Sequence, residues 1–152
     1  LLAAKRLEAH SPLASMFAAR EVEKRYLAVV AAPVPWEERV VDHPIARDPA
    51  RKPQWGVRAD GAPAQTRLRV LARQDGRVLL EANPVTGRTN QIRIHCAAEG
   101  HPLLGDAVYG GPPAPRLFLH AWTLEFPMLD GQRRRIVSPI PAGFPEVVNP
   151  FA

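Results

Sequence analysis

Apolar and polar positions in this chain alternate over short stretches that proline and glycine punctuate. Leu1 to Ala4 reads as the end of an apolar strand. From about Leu7 to Arg20 the spacing of Leu13, Met16 and Phe17 predicts a helix. Ser11 and Pro12 offer an N-cap followed by proline at the first helical position. Arg25 to Ala31 is β-branched and aromatic enough for a strand, which Pro33 and Pro35 end. Residues 36–63 carry Pro44, Pro49, Pro53 and Pro63 and read as a loop region, exposed and basic over Ala46 to Lys52. Strict alternation returns at Ala64 to Leu71, where Ala64, Thr66, Leu68 and Val70 share one face. Gln74-Asp75-Gly76 is a turn, and Arg77 to Glu81 completes an antiparallel hairpin. After a turn-rich loop, Asn83 to Arg88, a helix is expected from about Asn90 to Glu99. Thr89 suits its N-cap, Gly100 its C′ position, and Pro102 blocks its continuation. Arg116 to Phe126 and Arg133 to Ser138 read as two strands joined by Leu129-Asp130-Gly131. Short strands with interspersed helices predict an α+β domain: a mixed, largely antiparallel sheet with flanking helices.

Composition narrows the class. The chain has 152 residues, 46% of them hydrophobic, which suits one domain with a real core. No apolar run approaches the roughly 18 residues of a membrane span. A single cysteine, Cys96, excludes an internal disulfide framework. The net charge of +5 hides a bias, with 17 Arg against 3 Lys. Guanidinium groups fork onto phosphate oxygens, but Arg-rich codon usage gives the same count, so position has to decide. Basic and acidic residues number 10 and 8 over residues 1–60 and 10 and 7 over 61–152, so neither half is a charged arm. The chain opens on Leu-Leu-Ala-Ala with no charged leader, which reads as the middle of an element and leads us to expect a longer polypeptide.

Candidate chemistry is densest in Thr86-Gly87-Arg88-Thr89-Asn90-Gln91-Ile92-Arg93-Ile94-His95. Gly87 permits a tight turn, and a helix start offers free N–H groups to anions. On a helix Arg88 and Arg93 stand roughly 140° apart, so one can meet phosphate while the other turns inward to a carboxylate. A solvated helix start is the plainer reading, and the polar density beside Ile92 and Ile94 favours a site. His95, Cys96 and His101 do not form a metal site, because adjacent His95 and Cys96 splay apart and no further ligand follows at zinc spacing. Cys96 reads as a small packed residue. Gly105-Asp106 with Tyr109-Gly110-Gly111 reads as a structural turn. Tyr26, at a strand entry, reads as a half-buried strand tyrosine, and Arg133-Arg134-Arg135 as a solvated face.

Several segments in order resemble one family. Lys24-Arg25-Tyr26-Leu27-Ala28-Val29-Val30 looks like a tyrosine motif and the Thr86–His95 run like an arginine motif. Gly100-His101-Pro102-Leu103-Leu104-Gly105-Asp106, Tyr109-Gly110, Arg116-Leu117-Phe118-Leu119-His120-Ala121 and Ser138-Pro139-Ile140-Pro141 follow. The set is similar to the RluA-type pseudouridine synthases, which isomerise uridine to pseudouridine in ribosomal and transfer RNA. The resemblance implies one catalytic domain over residues 1–152. It implies catalytic roles for Tyr26 and Arg93, RNA contacts by Arg88, Asn90 and Gln91, no cofactor and no metal. It also implies a cytoplasmic monomer acting on RNA without a protein partner. Two departures stand out. The family usually has His where this chain has Asn90. Its nucleophilic aspartate, in His-Arg-Leu-Asp-x-x-Thr-Ser-Gly, is expected upstream of Leu1, so the chain alone is expected to be inactive. The alternative is a non-catalytic RNA-binding module derived from that family.

Overall fold

The computed structural model describes residues 5, 7–51, 55–128 and 130–145. The expected strand over Leu1 to Ala4 lies outside the described residues, as does Leu129 of the expected turn before Gly131.

Helix α1 covers Leu7–Ala18 and contains Pro12 instead of starting there. Proline removes one backbone donor, and the helix runs on because the residues after it keep theirs. Its half-buried positions include Leu13 and Met16, whereas Phe17 stays 45% exposed beneath the Lys24 ammonium, 6.0 Å from its ring centre. Arg20, with φ of 60°, closes the helix as Glu21 N donates to the Met16 carbonyl.

Among the described residues eight strands follow in two sheets. The strands are β1 Glu23–Ala31, β2 Glu38–Asp42, β3 Ile45–Arg47, β4 Trp55–Val57, β5 Gln65–Gln74, β6 Arg77–Pro84, β7 Leu119–Pro127 and β8 Arg133–Val137. Six of them form one sheet in the order β2-β5-β6-β1-β7-β8, and β3 and β4 form a small hairpin. Every described strand pairing is antiparallel. With one helix before the sheet and α2 (Gln91–Ala98) between β6 and β7, this is the expected α+β class.

The β5–β6 hairpin turns on Asp75 and Gly76, with φ of 49° and 70°. Positive φ at both central residues matches the right-handed twist of the flanking strands, which is why an Asp-Gly pair sits there. Within residues 36–63 the structure replaces the expected loop by β2, β3 and β4. β2 pairs with β5 from Glu38↔Arg69 to Asp42↔Gln65, although only Val41 of its five side chains is buried. An edge strand with one buried side chain carries almost no hydrophobic period, so its neighbour decides its conformation.

Central β1 is buried on both faces from Leu27 to Val30. One face gathers Ala28, Val30, Val41, Leu68, Val78, Leu80 and Ala82 against Ile92 and Cys96 of α2. The opposite face gathers Leu27, Val29 and Leu79 against Leu104, Phe118 and Trp122. Helix α2 is thus clamped to the first face, with its N-terminus and the preceding loop at the end of the sheet where β1 begins. It ends as expected: Gly100 takes φ of 80°, and His101 N donates to the Cys96 carbonyl.

Candidate active site

A cleft of about 350 Å³ opens between the start of β1 and the loop leading into α2. Lys24 and Tyr26 line it from β1, Thr86, Arg88 and Asn90 from the loop, Arg93 from the helix, and Leu119 from β7. All five expected site residues, Tyr26, Arg88, Asn90, Gln91 and Arg93, therefore line one concavity. No described lining residue is a carboxylate. A larger hollow of about 630 Å³ lies beside it, sharing Lys24 and Pro84. That hollow is open and charged, lined by Arg25, Arg67 and Arg69 about Glu81. It includes neither Tyr26 nor Arg93, so the smaller cleft is the better seat for a reacting base.

Arg93 and Arg88 point apart, but not through the expected helical angle, because Arg88 lies in the loop before α2 begins at Gln91. Arg93 turns inward: Nε donates to Asp106 Oδ2 at 2.8 Å and Nη2 to Oδ1 at 2.7 Å. Nη1 donates to Asn90 Oδ1 at 3.2 Å, and the Tyr109 ring lies 4.9 Å beneath the guanidinium carbon. Hydrogen bonds to Asp106 outweigh partial burial and raise the pKa of Arg93, so it stays a cation. Arginine has five N–H donors. Three are used here, and one on each terminal nitrogen has no hydrogen-bond partner among the described residues. Arg88 turns outward and is exposed; its Nε donates to the Pro63 carbonyl at 3.1 Å, its one side-chain tie among the described residues.

Asn90 does two jobs. It enters α2 with φ of 54° and ψ of 21°, a left-handed conformation that asparagine tolerates better than most residues. Thr89 was expected as the N-cap, but the residue flanking the helix is Asn90, and its side chain does not cap. That side chain instead bridges Arg93 and the Tyr109 hydroxyl, 3.3 Å from Nδ2.

Gln91, expected to touch RNA, is only 4% exposed. Its Oε1 accepts from the Thr86 hydroxyl at 2.6 Å and from Arg88 N at 3.0 Å. Its Nε2 donates to the Gln65 carbonyl and the Thr66 hydroxyl, both at 2.9 Å. All four hydrogen-bonding positions of the amide are occupied by protein, so Gln91 braces the loop and has nothing left to offer a ligand. Its polarity on a motif helix looks like a binding signal in sequence, and only the fold shows where it points.

Tyr26 is half-buried, as its strand position suggested. Burial raises its pKa above the ordinary phenol value. At neutral pH it is a neutral phenol: a flat, partly apolar surface with one hydroxyl, not a ready base. Lys24 is pushed the other way, its pKa lowered by burial. Within the same helix, Cys96 is fully buried and its thiol is pushed up to about 12 by desolvation, so it is inert, as its packed position implied. His95 is fully buried too, with Nε2 donating to the His43 carbonyl at 3.0 Å and Nδ1 accepting from the Thr66 hydroxyl at 2.9 Å. Among the described residues no cluster of His, Cys, Asp or Glu is placed to hold a metal.

Asp106 is the residue that sequence reasoning placed only in a turn. The turn is real, since Tyr109 N donates to Oδ1 at 3.3 Å. Yet the carboxylate is buried and its main partner is Arg93, thirteen positions earlier. No local periodicity connects the two. Their only signal was a shared place in the ordered motifs.

Comparison with known proteins identifies the family. A family model described as RNA pseudouridylate synthase matches residues 1–98. A ribosomal large subunit pseudouridine synthase D of Nitrosomonas europaea is 40% identical over 136 residues, covering 82% of this chain and 39% of that protein. Its namesake in Haemophilus ducreyi is 33% identical, covering 98% and 51%. An uncharacterized RNA pseudouridine synthase of Zymomonas mobilis is 33% identical over 97% of this chain and 70% of its own length. The chain thus spans about half or less of the first two relatives. Among solved structures, human RNA pseudouridylate synthase domain containing 1 superposes with a TM-score of 0.79 at 29% identity, covering 90% of this chain and 62% of that one. With its fold, its ordered motifs and these matches in agreement, the chain belongs to the RNA pseudouridylate synthase family.

Proposed function

We propose that this chain forms the substrate cleft of an enzyme that converts uridine to pseudouridine in large-subunit ribosomal RNA. The observation that carries the reading is Arg93, held as a cation at the wall of a cleft shared with Tyr26, with unused N–H donors. The choice of RNA rests on the names of the two relatives from Nitrosomonas and Haemophilus.

In the reaction the N1–C1′ bond breaks, the uracil turns, and a C5–C1′ bond forms. The C5 proton leaves and N1 gains one, so the change is an isomerisation that needs no redox cofactor. The resemblance implies an aspartate nucleophile, whose attack makes catalysis covalent. Arg93 is suited to orient that carboxylate and keep it ionised. Tyr26, as a neutral phenol, offers the flipped uracil a stacking surface. Its raised pKa speaks against a resting tyrosinate, so the C5 proton passes to water while the phenol keeps its own. Outside the cleft, exposed Arg88 suits a phosphate of the flanking backbone. The reading needs no protein partner and places the protein with ribosomal RNA in the cytoplasm.

Ribosomal RNA carrying tritium at uridine C5 tests this, since forming the C5–C1′ bond expels the label. Full-length protein is expected to release tritium. Arg93→Ala in that protein should lower the rate at least 100-fold while remaining folded, and the 152-residue chain alone should release none. RNA binding without any release by the full-length protein would instead support a non-catalytic binding module.

A further inference from the structure

We propose that Asp106 is a positioning residue for catalysis: it holds Arg93 in the single orientation that presents its spare donors to the cleft. The inference rests on the proposed reaction and adds to it a residue outside the cleft lining. Three observations carry it.

First, the contact is a fork. Both carboxylate oxygens of Asp106 take parallel N–H bonds from the Nε and Nη2 edge of Arg93, at 2.8 and 2.7 Å. A fork fixes the plane of a guanidinium, where a single bond would let it swing. Asn90 on Nη1 and the Tyr109 ring beneath it remove the remaining freedom.

Second, the segment around Asp106 is built to hold that carboxylate in place. Leu104 N donates to the Val29 carbonyl and Phe118 N to the Leu104 carbonyl, tying the loop into the sheet beside β1. Gly105 has φ of 77°, and a Cβ there would lie 1.8 Å from the Arg116 carbonyl oxygen. At Gly111 a Cβ would lie 1.9 Å from the Leu103 carbonyl oxygen. The chain closes tightly on both sides of Asp106, and the carboxylate has no side-chain exposure.

Third, the arrangement assigns the two edges of Arg93 to different tasks. Asp106 takes the buried edge, and one N–H on each terminal nitrogen remains for a second anion. An arriving carboxylate nucleophile would meet a guanidinium that is already oriented and partly neutralised. Such a cation can align a nucleophile without binding it so strongly that attack is suppressed.

The test uses full-length protein and ribosomal RNA labelled at uridine C5. Asp106→Asn keeps the size of the side chain but loses the charge and one of the two acceptors. It is expected to lower kcat at least tenfold while the Kd for RNA stays within twofold. Val41→Ala, which trims the core on β2 at a residue that does not line the cleft, is the control for lost stability and is expected to keep wild-type kcat. In the double variant Arg93→Lys with Asp106→Asn, kcat should fall no further than in Arg93→Lys alone, because Asp106 acts only through the fork. Should Asp106→Asn not fold, Asp106→Glu keeps the charge and displaces the fork by one methylene, with the same expected loss in kcat. Wild-type kcat in a folded Asp106 variant, or a loss confined to KM, would overturn the proposal. A readout independent of activity separates this failure from that of the reaction itself. In the unliganded wild type, the Arg93 Nε–H should give an NMR signal protected from exchange with water. If that protection is missing, Asp106 does not hold Arg93. If it is present in a protein that makes no pseudouridine, the reaction is wrong and Asp106 has no part in catalysis.

Discussion

The side-chain amide of Gln91 donates to the hydroxyl of Thr66 at 2.9 Å, and that hydroxyl has one proton of its own to pass on. It donates to His95 Nδ1, and His95 Nε2 donates to the His43 carbonyl. One directed chain of hydrogen bonds thus runs from the motif loop through β5 and α2 to the segment after β2. Every link is fixed in direction, because the final carbonyl can only accept.

Breaking that chain at its start has a definite cost. Gln91→Ala leaves the Thr86 hydroxyl proton and the Arg88 N–H without an acceptor, and takes one of two donors from the Gln65 carbonyl, which keeps Val85 N. The expected loss is about 2–3 kcal/mol of stability, since buried polar groups are costly to leave unpaired. Urea unfolding should show a lower midpoint with an unchanged slope. A change within 0.5 kcal/mol, the usual range for exposed sites, would show that the amide is dispensable.

His95 makes stability depend on pH in a known direction. Burial lowers its pKa below the ordinary imidazole value. An unfolded chain then binds a proton more readily than the folded one, so folding is favoured above about pH 6.5 and stability falls as pH drops from there toward the lower folded pKa. Depressed carboxylates such as Glu125 act only at more acid pH. Urea midpoints between pH 7.5 and 5 should therefore decline in the wild type and flatten in His95→Gln.

Arg88 is exposed at the rim of the cleft, with no side-chain tie beyond its Nε bond among the described residues. If it meets a phosphate, Arg88→Ala should weaken RNA binding regardless of sequence. The slope of log K against log salt should also shrink by about one unit. An unchanged slope would remove Arg88 from the RNA interface.

Cys96 provides a check on the core. Being fully buried with a thiol pushed up to about 12, it should not react with an aromatic disulfide reagent at pH 8 while the chain is folded. One equivalent should appear on unfolding in guanidinium. Rapid reaction of the native protein would show that α2 opens from the sheet.

Local chemistry makes much of this protein legible in its sequence. Alternation at Thr66, Leu68 and Val70 with an Asp-Gly pair at 75–76 specifies the β5–β6 hairpin. Glycine at position 100, where the backbone needs positive φ, specifies where α2 stops. These features depend on residues within a few positions of each other, which is the range over which sequence pattern acts. The ordered motifs also make the family legible. Tertiary structure decided the rest, because contacts between distant residues leave no local period. β2 is a strand because β5 lies beside it, and Pro12 sits inside α1 because only one bond is lost there. Gln91 points into the protein because Thr66 and Gln65 wait for its amide. Asp106 reaches Arg93 because the loop after α2 folds back against β1, and that closure is what turns a glycine-rich turn into the anchor of the site.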